Sequence, residues 1–173
     1  YVGPPSTAVV ESWNGSIWTE VNDVNSMRYG IAGAGADNTA SIAFGGFVPP
    51  NASNNLSALT ESWNGSNWTE VNDLNTARGY LFGAGTSTAA LMYGSDVGPS
   101  DNVATRSWNG SSWSTEGNLS STFANGASGG PTENSAFAAG AEVPTASTRF
   151  ESYNGSAWSS GPTLNTAVSN NRG

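Results

Sequence analysis

One sequence pattern, an aromatic residue followed by Asn-Gly and then by a second aromatic residue, occurs four times along the chain. The two clearest copies read ESWNGSIWTEVNDV from Glu11 and ESWNGSNWTEVNDL from Glu61. Two more divergent copies read SWNGSSWSTEGNL from Ser107 and ESYNGSAWSSGPTL from Glu151. Successive copies are 50, 45 and 45 residues apart, and a period of this length indicates a fold built from repeated units.

The composition permits two readings, a disordered low-complexity chain or a folded repeat protein. Charged residues make up only 10% of the 173 residues, and the polarity comes from Ser, Thr, Asn and 22 Gly. Disordered chains are poor in aromatic residues, whereas this chain has 7 Trp, 6 Phe and 5 Tyr at regular intervals. We therefore expect a folded chain with one sizeable core.

The charge pattern and the missing residue types exclude several kinds of partner. The chain has 13 acidic residues, five Arg, and neither Lys nor His, for a net charge of −8. Because nucleic acids and anionic membranes require clustered basic residues, we expect neither as a partner. The sequence contains no run of 18 apolar residues, so it predicts no membrane-spanning helix. With no Cys and no His, disulfides and the commonest metal ligands are excluded, and we expect neither a cofactor nor a metal.

Each repeat contains four short strand candidates separated by turn residues. The Asn-Gly pattern lies between two of them, and a run of small residues and a short apolar run such as Ala40-Ser41-Ile42-Ala43-Phe44 supply the others. Nothing recurs at helical spacing for more than one turn. Short strands at regular intervals bounded by Gly, Pro, Asn and Asp predict an all-β fold.

The Asn-Gly dipeptides predict two-residue hairpin turns of type I′, because both residues tolerate positive φ. The register expected around Asn14-Gly15 pairs Trp13 with Ser16, Ser12 with Ile17 and Glu11 with Trp18. It makes Trp13 and Trp18 diagonal neighbours on one face of the hairpin.

The repeated aromatic and turn residues are the candidate structural positions. They are Trp13, Asn14, Gly15 and Trp18; Trp63, Asn64, Gly65 and Trp68; Trp108, Asn109, Gly110 and Trp113; and Tyr153, Asn154, Gly155 and Trp158. Buried aromatic side chains dominate core energetics, so we favour packing between neighbouring sheets as their role. The alternative is a ladder of sugar-stacking surfaces.

Four-stranded units of 45–50 residues stacked radially form a β-propeller. The order of elements resembles the kelch repeat: Phe44-Gly45-Gly46, then Trp63-Asn64-Gly65, then Trp68, then Arg78 opening the next unit. The kelch pattern usually has Tyr where Trp63 stands, and its Gly-Gly is reduced to Gly94-Ser95 and Gly140-Ala141 in the later copies.

The resemblance implies an all-β propeller of four-stranded kelch-like blades, with about three complete blades and partial blades at both ends. Residues 1–22 would form the outer strands of a partial blade, residues 28–72, 78–116 and 123–160 three blades, and residues 167–173 the start of another. We expect a segment of a longer protein. The alternative is a ring completed by several chains.

The segment ESWNGSNWTEVNDLNTAR also resembles the sequences of kelch-like structural proteins of marine tailed phages. This resemblance implies a virion fibre or surface-decorating protein, at the virion surface or outside the cell. Its implied partners are copies of itself, other virion subunits or a cell-surface glycan. Loops 47–57, 95–102 and 141–148 would carry recognition. Their candidate binding residues are Phe47, Asn51, Asn54, Asp96, Asp101 and Glu142.

We expect no catalysis. Copper oxidases that resemble galactose oxidase share the kelch fold but use His ligands and a Tyr–Cys crosslink, which this chain cannot supply. Glycosidase chemistry needs two carboxylates close together. Glu11, Glu61 and Glu151 share one repeat position, as do Glu20 and Glu70, and we expect the repeat to disperse them. Arg28 and Arg78 are expected to pair with acidic residues of a neighbouring blade.

Two other functions stay open at this point. One is a secreted carbohydrate-binding lectin or polysaccharide-acting kelch protein, which would bind sugars at loop aromatics such as Phe47 or Tyr93. The other is a kelch adaptor that presents substrates to a ligase, for which the sequence shows no companion domain.

Overall fold

A computed structural model describes residues 8–49, 55–95, 102–123, 126–140 and 146–168. Within these residues the chain forms 14 short strands and no helix, so the predicted all-β fold is confirmed. The strands are β1 (Val10–Trp13), β2 (Trp18–Val21), β3 (Ala32–Asp37), β4 (Ala40–Phe44), β5 (Thr60–Trp63), β6 (Trp68–Val71), β7 (Phe82–Gly85), β8 (Ala90–Tyr93), β9 (Thr105–Trp108), β10 (Trp113–Thr115), β11 (Ala127–Gly129), β12 (Phe137–Ala139), β13 (Phe150–Tyr153) and β14 (Trp158–Ser160).

Consecutive strands pair antiparallel into one two-stranded sheet and three four-stranded sheets. We call them sheet I (β1–β2), sheet II (β3–β6), sheet III (β7–β10) and sheet IV (β11–β14). In each four-stranded sheet the strands lie side by side in chain order. Such four-stranded antiparallel sheets are compatible with the blades of a β-propeller.

The two ends of the chain are only partly described. Of residues 1–22, expected to form outer strands, residues 8–22 are described and contain sheet I. Of residues 167–173, expected to begin another blade, Ala167 and Val168 are described. Val168 forms an isolated antiparallel bridge with Ser147, whose carbonyl accepts its N–H at 3.0 Å.

The first strands of the three larger sheets lie against one another, β3 against β7 and β7 against β11. Glycine permits this approach. A Cβ atom added to Gly83 on β7 would collide with the carbonyl oxygen of Gly33 on β3. The runs of Gly and Ala therefore allow the first strands to crowd together.

Two apolar clusters fill the spaces between the larger sheets. The cluster between sheets II and III includes Ile42, Phe44, Met92, Trp108 and Trp113. The cluster between sheets III and IV includes Leu91, Tyr93, Leu119, Phe123 and Tyr153. Each large side chain buried in this way stabilises the fold by roughly 1.5–3 kcal/mol. The core of this protein is thus the set of interfaces between sheets.

The predicted hairpin register is wrong. Trp13 lies directly opposite Trp18, Ser12 opposite Thr19, and Glu11 opposite Glu20. The loop therefore has four residues, Asn14 to Ile17, rather than two. Each of the other three copies also places its two aromatic residues directly opposite each other.

The Asn side chain explains the longer loop. The Oδ1 atom of Asn14 accepts the N–H groups of Ser16 at 2.9 Å and Ile17 at 3.0 Å. Asn64, Asn109 and Asn154 make the same two bonds. Of the two residues of the Asn14-Gly15 dipeptide, only Gly15 has a positive φ, +95°, whereas a type I′ turn requires a positive φ at both. The side-chain acceptor has replaced the backbone turn that the dipeptide predicts.

Candidate functional site

The paired aromatic residues of each hairpin stack across their strands. The ring centroids are 5.4 Å apart for Trp13 and Trp18, and 5.3 Å apart for the pairs Trp63–Trp68, Trp108–Trp113 and Tyr153–Trp158. Direct pairing in the observed register brings the rings this close. It creates one aromatic face on each sheet.

In sheets III and IV the second ring of the pair is seated on the preceding sheet. Trp113 packs edge-on against Phe44 of sheet II, with ring centroids 5.0 Å apart. Trp158 packs against Tyr93 of sheet III at 4.8 Å. In both cases the indole N–H donates to a threonine hydroxyl of the preceding sheet, Trp158 to Thr105 at 2.9 Å. The same contact thus recurs at two successive interfaces.

The first ring of the pair is fixed within its own sheet. The indole N–H of Trp63 donates to the carbonyl of Asn38 at 3.0 Å, and that of Trp108 donates to the carbonyl of Ser87 at 3.1 Å. Trp63 and Trp108 are 5% and 3% exposed. Rings buried to this degree serve packing, as the interpretation we favoured requires, and leave no face for stacking a sugar.

Sheet I differs because its aromatic pair is open to solvent. Trp13 is 44% exposed and Trp18 is 63% exposed, and Val9 and Ile17 beside them are 50% and 60% exposed. No described residue covers these rings in the way that sheets II and III cover Trp113 and Trp158. This surface, which we call the Trp13–Trp18 face, is a candidate interaction surface.

The interface between sheets I and II lacks one hydrogen bond. The indole N–H of Trp68 is buried and has no hydrogen-bond partner. By register, the position that Thr60 and Thr105 occupy at the starts of β5 and β9 is Val10 at the start of β1. Val10 lines the same cleft as Trp68. Since valine has no hydroxyl, it offers the indole no acceptor.

Arg28 pairs within its own sheet, which corrects the expectation of a partner in a neighbouring blade. Its Nη2 donates to Oε1 of Glu61 on β5 at 2.7 Å, and both side chains are 1% exposed. Its Nη1 donates to the carbonyls of Gly45 and Leu59 at 2.8 and 2.6 Å. Arg28 lies just before β3, so it ties the entry of that strand to the rest of sheet II.

The repeat places Glu11, Glu61 and Glu151 on three different sheets, as expected, but within two hairpins it also pairs one glutamate with another. Glu11 lies directly opposite Glu20, and Glu61 directly opposite Glu70. Glu61 is buried and accepts the backbone N–H of Asn25 at 2.8 Å in addition to Arg28, whereas Glu70 is exposed. The contacts of Glu61 therefore hold the loop before β3, which is a structural role.

The expected loop aromatics are buried. Phe47 is 5% exposed and lies between two half-buried tyrosines, with ring centroids 5.0 Å from both Tyr29 and Tyr80. Tyr93 is 0% exposed. Neither Phe47 nor Tyr93 offers a free ring to a sugar. The other predicted loop residues, Asn51, Asn54, Asp96, Asp101 and Glu142, lie outside the described residues.

Sequence reasoning missed a polar cleft of about 370 Å³ between sheets III and IV. Glu116 lies in it where the first two repeats have Val21 and Val71, and Tyr153 stands in place of a Trp. Glu116 accepts the hydroxyl of Ser107 at 2.6 Å and that of Tyr153 at 3.4 Å. Alignment of the repeats was the signal for it, since a Glu in a Val position marks a changed interface.

Burial changes the titration of two tyrosines at this interface. It raises the pKa of Tyr153, and the neighbouring Glu116 carboxylate raises the same pKa further. It raises the pKa of Tyr93 to about 12. The Tyr93 hydroxyl donates to the carbonyl of Phe137 at 2.8 Å and accepts the N–H of Gly129 at 3.2 Å, which ties sheet III to sheet IV.

In the described ranges no three acidic, His or Cys side chains come together in a way that would hold a metal ion. Nothing in the same ranges forms an apolar helix of membrane-spanning length. No protein-family model matches the chain, and no curated protein sequence matches it at a significant level.

Proposed function

We propose that the chain is a structural and adhesive module without catalysis of its own, part of a kelch-like β-propeller on the surface of a virion. Its role there is that of a fibre or surface-decorating protein. The fold supports a scaffold, because the sheets are stacked through repeated aromatic contacts. The setting in a virion is supported by the resemblance of ESWNGSNWTEVNDLNTAR to phage proteins.

The observation that carries the scaffold role is the recurrence of one interface. Trp113 sits on Phe44 and Trp158 on Tyr93, each with its indole bonded to a threonine of the sheet before it. Side-chain amides add ties at the rim: Asn22 donates to the carbonyl of Ser66 at 2.7 Å, and Asn72 to that of Ser111 at 2.8 Å. Joints that recur between sheets II, III and IV support a scaffold role, which leaves loops and the open face of sheet I for partners.

The contacts of the charged residues agree with a structural role. Glu61 is engaged by Arg28 and by the N–H of Asn25, and Glu151 accepts both the N–H and the hydroxyl of Ser120 at 2.9 and 2.7 Å. Both carboxylates are at most 2% exposed. Carboxylates held in this way fix loops and are shielded from a substrate.

Antibodies raised against the recombinant chain test the proposed setting. They should label purified virus particles in electron micrographs, and peptides of the chain should be found in those particles by mass spectrometry. Strong enrichment of the chain in the particle-free fraction of infected cultures would contradict the proposal.

The adhesive role needs its own measurement. The recombinant chain, fluorescently labelled, should bind intact host cells or particle subunits in a saturable manner. Turnover of polysaccharide substrates by the purified chain would contradict the non-catalytic role and favour the polysaccharide-acting alternative.

A further inference from the structure

The polar cleft between sheets III and IV borders a position at which the repeat has changed its chemistry. At the joint between sheets II and III that position is Val71, which packs against the apolar cluster. At the joint between sheets III and IV it is Glu116, which instead lines a cleft of about 370 Å³. A cleft of this size is typical of sites for small molecules.

A second departure from the repeat borders the same cleft. Tyr153 stands where sheets II and III have Trp63 and Trp108, whose indole N–H groups each donate to a loop of their own sheet. The hydroxyl of Tyr153 instead donates to the Glu116 carboxylate of the preceding sheet. The exchange of Trp for Tyr therefore adds a hydroxyl group to the cleft.

The loop between the first two strands of sheet IV supplies a third departure. It comprises residues 130–136, whereas the same loop of sheet III comprises residues 86–89. Glu133 and Asn134 of the longer loop line the cleft, and the side-chain amide of Asn134 donates to the Glu133 carboxylate at 2.8 Å. Since Asn134 is exposed, the cleft can be reached from solvent. Three local changes to the repeat thus meet at one place.

Glu116 has an oxygen atom that is only weakly engaged. Its Oε1 atom accepts the hydroxyl of Ser107 at 2.6 Å, whereas its Oε2 atom accepts that of Tyr153 at 3.4 Å. Hydrogen bonds between two oxygen atoms are usually about 2.5–3.0 Å long, so the second bond is weak. A hydroxyl group of a ligand would be a better donor to Oε2 than Tyr153 is.

The charges of the cleft select among ligands. Among the described residues that line it are two carboxylates, Glu116 and Glu133, and no arginine. An anionic ligand would be repelled by these carboxylates and by the net charge of −8. A metal ion would find no group of three acidic side chains within the described ranges. A neutral molecule rich in hydroxyl groups matches the lining, because hydroxyl groups both donate and accept.

We propose that this cleft binds a neutral saccharide of one or two sugar rings, with Glu116 accepting a hydroxyl group of the sugar. Binding depends on hydrogen bonds rather than on stacking, because Trp108 and Tyr153 beside the cleft are 3% and 4% exposed. This inference rests on the proposed adhesive role and adds to it the class of ligand and the site.

Variants that restore the residues of the repeat provide the test. Glu116→Val introduces the residue that stands at Val21 and Val71, and Tyr153→Trp restores the aromatic residue of the other hairpins. Glu116→Gln keeps the size of the side chain and one acceptor oxygen. Glu70→Gln is the matched control, since Glu70 is exposed and lies outside the cleft.

An array of neutral, acidic and amino-bearing glycans identifies the sugars that bind, and isothermal titration calorimetry measures their affinity. The native chain should bind a neutral saccharide and no uronic-acid or sialic-acid glycan. Glu116→Val should weaken binding at least ~10-fold, because the charged acceptor is lost. Tyr153→Trp should also weaken binding, Glu116→Gln should weaken it less than Glu116→Val, and Glu70→Gln should leave it unchanged. Far-UV circular dichroism and urea unfolding should show that all variants are folded.

Nuclear magnetic resonance locates the bound sugar. The indole N–H signal of Trp108, which lines the cleft, should shift when the sugar is added, whereas that of the exposed Trp18 should not. The inference would be overturned if no neutral glycan bound, if Glu116→Val bound as tightly as the native chain, or if Trp18 shifted and Trp108 did not. Binding restricted to glycans with an amino group would overturn it too, because the carboxylates would then select a cation.

The outcomes for this site and for the proposed function are distinguishable. If native chain and Glu116→Val bind host cells equally well, the adhesive role stands and the assignment of the cleft is wrong. If the native chain binds a neutral sugar in the cleft but neither host cells nor particle subunits, the site stands and the adhesive role is wrong. The labelling of particles by antibodies is independent of both results.

Discussion

Trp113 donates its indole N–H to the hydroxyl of Thr60, 53 residues earlier in the chain and one sheet away, at 3.2 Å. Trp158 and Thr105 repeat this bond at the next interface, again 53 residues apart. Trp68, at the first interface, has a buried indole N–H with no hydrogen-bond partner, and Val10 takes the place of the threonine.

The first prediction concerns this missing acceptor. Val10→Thr should stabilise the protein by about 1 kcal/mol, because an unmet buried donor gains a hydrogen bond. Thr60→Val should destabilise it by about 1–3 kcal/mol, because it leaves the Trp113 N–H unsatisfied. Urea unfolding followed by tryptophan fluorescence measures both changes. The gain should disappear on a Trp68→Phe background, which has no indole donor. If Val10→Thr or Val10→Ser stabilised that background as much as the native chain, the hydroxyl would act elsewhere.

The second prediction concerns the buried ion pair of Arg28 and Glu61. Arg28→Met should destabilise the protein by about 3–5 kcal/mol, because Glu61 is left as a buried charge without its counterion. The double change Arg28→Met/Glu61→Leu should cost less than the single one. The exposed Arg149 provides a control, since Arg149→Met should change the free energy of unfolding by no more than about 0.5 kcal/mol. A double variant less stable than Arg28→Met would contradict this account.

The third prediction separates the observed loop from the turn that the sequence suggested. Asn64→Ala should destabilise sheet II by about 1 kcal/mol, because the N–H groups of Ser66 and Asn67 lose their acceptor. Asn64→Asp should keep most of the stability, since a carboxylate accepts the same bonds. Gly65→Ala should also be costly, because Gly65 has a φ of +90°. If Asn64→Gly were fully tolerated, the side-chain acceptor would be unimportant and the loop would be fixed by backbone conformation alone.

The fourth prediction concerns alkaline pH. The pKa of Tyr93 is raised to about 12 in the folded chain, from 10 for an ordinary tyrosine, so its contribution to stability is complete below pH 10. That contribution should be lost as the pH rises from 10 to 12, because the unfolded state releases its proton first. The raised pKa of Tyr153 acts in the same direction. The free energy of unfolding should therefore fall in this range, as urea titrations at successive pH values would show.

Two variants check the assignment of the alkaline transition. Tyr93→Phe should flatten the fall between pH 10 and 12, since the group that titrates is gone. Glu116→Gln should lower the pKa of Tyr153, because the carboxylate is one cause of its elevation. Tyrosinate absorbance in the ultraviolet follows the ionisation of the tyrosines in both variants. A tyrosine titration curve that is the same in both variants as in the native chain would contradict the assignment.

The sequence predicts the strands well because each one is bounded by Gly, Asn or other residues that favour turns. Gly and Asn end the short apolar runs, and the spacing of the hairpins sets four strands in each repeat. The register could not be predicted in the same way. The Asn-Gly dipeptide allows both a two-residue turn and a four-residue loop, and the bonds to the Asn64 side chain that favour the loop depend on the residues that follow.

The sequence predicts that aromatic residues pack between the sheets, but it does not predict which aromatic face stays exposed or where an interface becomes polar. The recurrence of Trp at two positions indicates packing between sheets, as the burial of Trp113 shows. Which face remains open depends on the neighbours of sheet I rather than on its own residues. The cleft at Glu116 becomes visible only when Val21 and Val71 are aligned with it, because its chemistry lies in the departure from the repeat.

The four Asn-Gly loops also affect how the protein ages. Asparagine followed by glycine is the dipeptide most prone to spontaneous deamidation, and each of the four is exposed at its Asn. Conversion to aspartate would preserve the Oδ1 acceptor on which Ser16 and Ile17 depend, and would only add a negative charge. Conversion to isoaspartate would lengthen the backbone inside the loop and displace one ring of the aromatic pair. Each isoaspartate formed in this way would therefore disturb the aromatic pair of its own hairpin and leave the other three hairpins unchanged.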